Sequence, residues 1–123
     1  MTDAVRKKIL IVDDDESLRK SIAITLRVKG YEIWEAGDGI EGLELTQQRR
    51  PDLIICDVFM PGMNGFMMVE SIKADAALTH IKIIMMTSAA QAAGAWKSEP
   101  DVVYLDKGFS LPVLIETVSK VLS

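Results

Sequence analysis

A single cysteine, Cys56, stands among 123 residues. No disulfide can form within the chain, and a reducing compartment is its natural setting. The start of the chain has no apolar run of the signal-peptide kind. No uninterrupted stretch is long enough to span a bilayer, which points to the cytoplasm and away from membrane insertion. Lys and Arg number 14 against 18 Asp and Glu, a formal charge of −4, and basic residues are scattered apart from Arg6-Lys7-Lys8. Without a basic stripe, direct nucleic-acid binding is not expected. Repeats and low-complexity linkers are missing, and the length suits one domain over residues 1–123. No glycine-rich loop follows the first apolar run, so a nucleotide or flavin module has no support. What is present is 49% apolar and 26% charged residues, the composition of a folded domain with one core.

That composition is arranged in alternation. Ile9-Leu10-Ile11-Val12 is a short, β-branched run of the kind buried on both faces of a parallel sheet, and three aspartates stop it. Ser17 to Lys29 reads as a helix ending at Gly30, with Leu18, Ile22, Leu26 and either Ile24 or Thr25 turned inward. Tyr31 to Ala36 reads as a second strand. Asp38 can cap a helix through Ile40, Leu43 and Leu45, although Gly42 weakens it by roughly 1 kcal/mol. Leu53 to Cys56 is a third strand, ending at Asp57. Phe66 to Lys73 follows as a helix with Met67, Val69 and Ile72 available for packing. Ile81 to Met86 is a fourth strand, stopping at Thr87, and Val102 to Leu105 a fifth. Between them lies an alanine-rich segment in which Ala89, Ala92 or Ala93, and Trp96 could form a short inward stripe. Ser110 can cap a last helix that tolerates Pro112 in its first turn and turns Val113, Leu114, Val118, Val121 and Leu122 inward. Five strands alternating with five helices imply an α/β fold, a parallel sheet covered on both faces.

In such sheets the ligand site lies outside the carboxyl ends of the strands. The residues that end the apolar runs there are Asp13 and Asp14, Asp57, Thr87 and Lys107. Fold stability alone does not favour gathering three carboxylates. A divalent cation such as Mg²⁺, hard and oxygen-seeking, resolves their repulsion. A carboxylate attacking phosphorus also meets charge with like charge, which metal and lysine would offset. On that chemistry Asp57 is the nucleophile and forms an aspartyl phosphate. Asp14 is the main metal ligand, with Asp13 acting directly or through water. Lys107 and the Thr87 hydroxyl contact phosphoryl oxygens.

Four motifs carry a resemblance: Ile9 to Asp15, Asp57-Val58-Phe59-Met60-Pro61-Gly62-Met63-Asn64-Gly65, Met86-Thr87-Ser88 and Tyr104-Leu105-Asp106-Lys107. In this order and spacing they look like the receiver domain of bacterial two-component response regulators, over nearly the whole chain. The resemblance implies a doubly wound, flavodoxin-like fold with strand order 2-1-3-4-5. It matches Asp13 and Asp14 to the family's acidic pair, Asp57 to its phosphoacceptor, Thr87 to its switch hydroxyl and Lys107 to its lysine. Phe59 would give its backbone carbonyl to the metal, and Tyr104 matches the aromatic whose rotation accompanies movement at Thr87. The partners implied are a histidine kinase or histidine phosphotransfer protein and a downstream protein target. The implied role is a switch whose only catalysis is its own phosphorylation and dephosphorylation, or a phosphorelay intermediate, which uses the same site. An aspartate-nucleophile phosphohydrolase of the haloacid dehalogenase type needs a second acid where Phe59 stands, and a purely partner-binding pseudo-receiver would not need all five site residues. His80 reads as a surface loop residue, with the phosphorylated histidine on another protein. Cys56 reads as a small buried hydrophobe, and the methionines at 60, 63, 67, 68, 85 and 86 as packing residues.

Two departures from the family stand out. The interval between Thr87 and Lys107 is slightly short, with Gly94 and Pro100 limiting any helix there. Gly108 occupies the place where receivers carry a proline, usually after a cis bond. A cis bond without proline costs about 2.5–4 kcal/mol. The expectation is therefore a trans Lys107–Gly108 peptide, a loosened loop before Phe109, and a Lys107 displaced when no phosphoryl group is present. Gly108→Pro is expected to restore the usual turn.

Overall fold

The computed structural model describes residues 6–87 and 102–123. Five parallel strands, β1 (Lys8–Val12), β2 (Glu32–Ala36), β3 (Leu53–Asp57), β4 (Lys82–Thr87) and β5 (Val102–Asp106), form one sheet in the order β2-β1-β3-β4-β5. Among the described residues the helices are α1 (Glu16–Val28), α2 (Gly39–Arg49), α3 (Gly65–Lys73) and α4 (Leu111–Leu122), with one 3₁₀ turn at Ala76–Leu78. The expected sheet and strand order are present. The alanine-rich helical stripe proposed near Trp96 lies outside the described residues.

Alternation along each strand divides the core in two. Leu10, Val12, Ile54, Cys56, Ile83 and Met85 point to one face and pack with Met68, Val69 and Ile72 of α3. Ile9, Ile11, Leu53, Ile55, Ile84 and Met86 point to the other and meet Ile22 and Leu26 of α1 and Leu114 and Val118 of α4. Every residue of β3 is buried, and β3 is the middle strand of the five, so its last residue, Asp57, lies at the centre of the sheet's carboxyl edge. Full burial of each large aliphatic side chain contributes about 1.5–3 kcal/mol, so these two layers fix the sheet that carries the site.

Two helical positions expected to pack, Met67 (49% exposed) and Val113 (46%), face outward, and of the alternatives Ile24 and Thr25 it is Thr25 that is partly buried while Ile24 is 61% exposed. Each lies next to the residue that turns inward. Ala23, Met68 and Leu114 take the core positions in α1, α3 and α4, while Gly42 and Thr46 line the buried face of α2. A helix turns about 100° per residue and buries one stripe, so a residue just beyond the edge of that stripe turns out while its neighbour turns in. A Cβ on Gly42 would stand 2.9 Å from Val12 Cγ2 and 3.0 Å from Met68 Sδ, so α2 sits too near β1 for any side chain there.

Local signals set the helix starts. Asp15 accepts from the Leu18 amide at 3.1 Å, Asp38 from Glu41 at 2.8 Å, Asn64 from Met67 at 2.9 Å and Ser110 from Val113 at 3.4 Å. The third aspartate of the run after β1 is therefore a helix cap, and α1 begins one residue earlier than its apolar pattern suggested. At the far end of α1, Gly30 takes φ +97°, the left-handed conformation that closes a helix.

Candidate functional site

The carboxyl ends of β1, β3, β4 and β5 bring the expected residues together. Asp13, Asp14 and Asp57 each offer a carboxylate oxygen, and these oxygens lie within 4.8 Å of one another. Asp13 is fully buried and Asp57 nearly so, while Asp14 is exposed toward solvent. Lys107 reaches in from the turn after β5, with Nζ 3.0 Å from Asp57 Oδ2 and 3.4 Å from Asp13 Oδ2. Thr87, the last residue of β4, is also buried. Its carbonyl accepts the Lys107 amide at 2.9 Å, tying the lysine's backbone to the neighbouring strand.

Backbone contacts hold the end of the strand that carries Asp57. The Phe59 amide donates to Asp57 Oδ1 at 3.3 Å, and the Val58 amide continues the ladder to Met86 O at 3.0 Å. The Gly65 amide then returns to Val58 O at 2.9 Å. A side chain on Gly65 would run into the carbonyl of Asp57, so the start of α3 can press against the site only as glycine. Phe59 itself points its ring to solvent, 58% exposed.

The charges are strained by burial. Desolvation, with the nearby charge of Asp57, pushes the Asp13 carboxyl up to about 6, although the Asp15 amide and Lys107 pull it down. Burial opposes charge on Lys107 as well, but the Asp57 hydrogen bond and both carboxylates outweigh it and hold the ammonium above its ordinary range. Asp13 Oδ1 accepts from the Asp15 amide at 2.9 Å. Its Oδ2 is buried and, at 3.4 Å from Lys107, has an opposite charge nearby but no aligned hydrogen bond. A buried carboxylate oxygen left without a hydrogen bond, beside two further carboxylates, suits a hard cation with oxygen ligands.

Two residues of this neighbourhood were not singled out from the sequence. Arg19 of α1 donates to the carbonyl of Asp13 at 2.8 Å and pairs with Glu35 of β2 at 3.0 Å. Glu35 also meets Lys20 at 3.3 Å and Arg27 at 3.6 Å. Burial raises the Glu35 carboxyl, but Arg19 and Lys20 outweigh it and hold it below the usual carboxylate range. The signal available was a glutamate within a strand, one residue from buried Ala36.

The turn after β5 departs from expectation in part. The Lys107–Gly108 peptide is trans, as the cost of a non-prolyl cis bond requires. Lys107 is not displaced, however, since it already pairs with Asp57. The attraction of two carboxylates holds it in place before any phosphoryl group arrives.

The sequence matches the model of the response regulator receiver domain over residues 9–119. The chain belongs to that family. The receiver is 31% identical to the protein PilH of Pseudomonas aeruginosa, over 94% of this chain and 98% of that one. It is 38% identical to the DNA-binding response regulator MtrA of Mycobacterium bovis, over 70% of this chain but 36% of MtrA. It thus spans little more than a third of the length of that relative. Among solved structures, the chemotaxis response regulator CheY4 of Vibrio cholerae superposes with a TM-score of 0.89 at 34% identity, covering 96% of this chain and all of CheY4. The receiver domain of the hybrid histidine kinase CckA gives 0.79 at 31% identity, covering 94% and 99%. The receiver is a two-component signalling domain, of a family that generally binds Mg²⁺ and interacts with histidine kinases or phosphotransfer proteins. Among its described residues no helix is long and apolar enough to cross a membrane.

Proposed function

We propose that this receiver accepts a phosphoryl group on Asp57 from a phosphohistidine of a histidine kinase or phosphotransfer protein, and passes the change to a downstream protein in the cytoplasm. The observation that carries the reading is the pairing of Asp57 with Lys107 at 3.0 Å inside a cluster of three carboxylates. A carboxylate oxygen of Asp57 attacks phosphorus as the bond from phosphorus to the donor imidazole breaks, and the imidazole leaves with the electron pair. Lys107 follows the negative charge from the carboxylate to the phosphoryl oxygens.

Asp14, Asp13, Asp57 and the carbonyl of Phe59 would hold Mg²⁺, in keeping with the unbonded Asp13 Oδ2. When bound, the ion would supply positive charge against the phosphoryl oxygens. Arg19, donating to the Asp13 carbonyl at 2.8 Å, would steady the backbone that presents Asp13 and Asp14. Thr87 ends β4 across the ladder from Asp106, and its hydroxyl would donate to a phosphoryl oxygen. Tyr104, two residues earlier on β5 and half-buried against the α3-side core, would transmit a movement of Thr87 to the surface.

Incubation with acetyl phosphate and Mg²⁺ followed by mass spectrometry tests the assignment. One phosphoryl group is expected on the wild type, at Asp57, and none on Asp57→Asn. A variant that still gained the group would place the acceptor elsewhere.

A further inference from the structure

The site needs Lys107 at a fixed point, yet the turn that presents it lacks the proline its family carries. Two hydrogen bonds close that turn. The Phe109 amide donates to the carbonyl of Asp106 at 2.9 Å, and the Gly108 amide donates to the Asp106 side chain, Oδ1, at 2.8 Å. Neither Lys107 nor Gly108 has positive φ, which excludes type II and mirror-image turns and leaves the type I form. Aspartate at the first position is the residue that form prefers, because its side chain reaches a backbone amide two residues on. Lys107 sits at the second position and Gly108 at the third. The ends are anchored: the Lys107 amide bonds to Thr87 O at 2.9 Å, and Phe109 is half-buried against the α1-side core.

We propose that Asp106 is the positioning residue for Lys107, acting through the Gly108 amide that a proline would lack. The inference rests on the phosphoacceptor reading for its consequence but not for its geometry. What Gly108 supplies to the turn is an N–H that proline lacks, since its φ does not require glycine. Gly108→Pro would delete the donor. Proline at the third position of a type I turn would also force Lys107 out of its helical conformation. That substitution should disable the turn, contrary to the expectation that it restores one.

Two measurements test this. In the first, the rate of phosphorylation at saturating acetyl phosphate and Mg²⁺ should fall roughly 3- to 10-fold in Asp106→Ala, the loss of about one hydrogen bond's worth of order at Lys107. Asp106→Asn, whose amide oxygen accepts the same bond, should restore it to within about twofold of wild type on the same scale. Gly108→Pro should fall at least as far as Asp106→Ala. In the second, the Lys107 side-chain resonances of the unphosphorylated protein are followed by NMR. They should move in Asp106→Ala and stay in place in Asp106→Asn. A faster Gly108→Pro, an Asn variant as slow as Ala, or Lys107 resonances indifferent to Asp106→Ala would each overturn the proposal. A wild type that takes no phosphoryl group would instead remove the phosphoacceptor reading, and the NMR comparison would still decide the role of Asp106.

Discussion

Asp13→Asn should make the metal-free receiver more stable at neutral pH. Asp13 is fully buried, and its carboxyl is raised from 3.8 to about 6, first by desolvation and then by the charge of Asp57. A carboxyl with a higher value folded than unfolded binds its proton more tightly in the native state, so ionisation weakens the fold. The penalty is absent below 3.8, builds between 3.8 and about 6, and is complete above that. At about 1.4 kcal/mol per pH unit the full penalty is roughly 3 kcal/mol. That is a large share of the ~5–15 kcal/mol typical of a whole domain. Asparagine keeps an oxygen for the Asp15 amide, now bonded at 2.9 Å, and carries no charge.

Urea denaturation in chelator should therefore find Asp13→Asn more stable than wild type by roughly 3 kcal/mol at pH 7.5 and by roughly 1 kcal/mol at pH 4.5. Added Mg²⁺ should narrow or reverse the gap, because a ligand that binds only the native state stabilises the chain that binds it better. A variant less stable than wild type at pH 7.5 without metal would refute the reasoning. So would a gap that does not change with pH.

Gly42→Ala should destabilise by about 1–3 kcal/mol despite the better helix propensity of alanine, because the added methyl collides with Val12 and Met68; the urea midpoint measures it, and an unchanged midpoint would mean α2 can shift off β1. Loss of phosphate from Asp57 should be slow in the wild type and faster in Phe59→Asn, since the exposed apolar ring cannot orient a water and an amide can. The decay of the phosphorylated form by mass spectrometry checks this, and a wild-type lifetime no longer than that of the variant would contradict it.

The sheet and the gathering of the site were legible because both depend on short, regular signals. A strand buried on two faces must be apolar throughout, so the polar residue that ends it is visible, and parallel strands put all such ends on one edge. Asp13, Asp57 and Thr87 are visible in that way, and Lys107 one residue beyond the end of β5. Helix facing was less legible. Ala23 and Ile24 are both apolar, as are Met67 and Met68, so the apolar pattern by itself does not tell which of two neighbours turns in. Gly42 reads in the sequence as a weakness in α2, whereas a side chain there would run into Val12 of β1. Arg19 and Glu35 were missed because their link joins α1 to β2 across 16 residues, and no local period relates them.

Gly108 shows where a family pattern misleads. Set against its relatives, the glycine looked like a lost proline, and a lost proline implied a loosened lysine. The turn itself has an aspartate in first position, a hydrogen bond closing it from Phe109, and a glycine amide held by that aspartate. Asp106 was visible in the sequence but was read only as part of the motif around the lysine. Its meaning depends on the residue two places on: with proline at 108 there is no amide for its side chain to capture, and with glycine there is. On the proposed reading the two carboxylates attract Lys107 and the turn aims it, so Asp106 as acceptor and Gly108 as donor have meaning only as a pair.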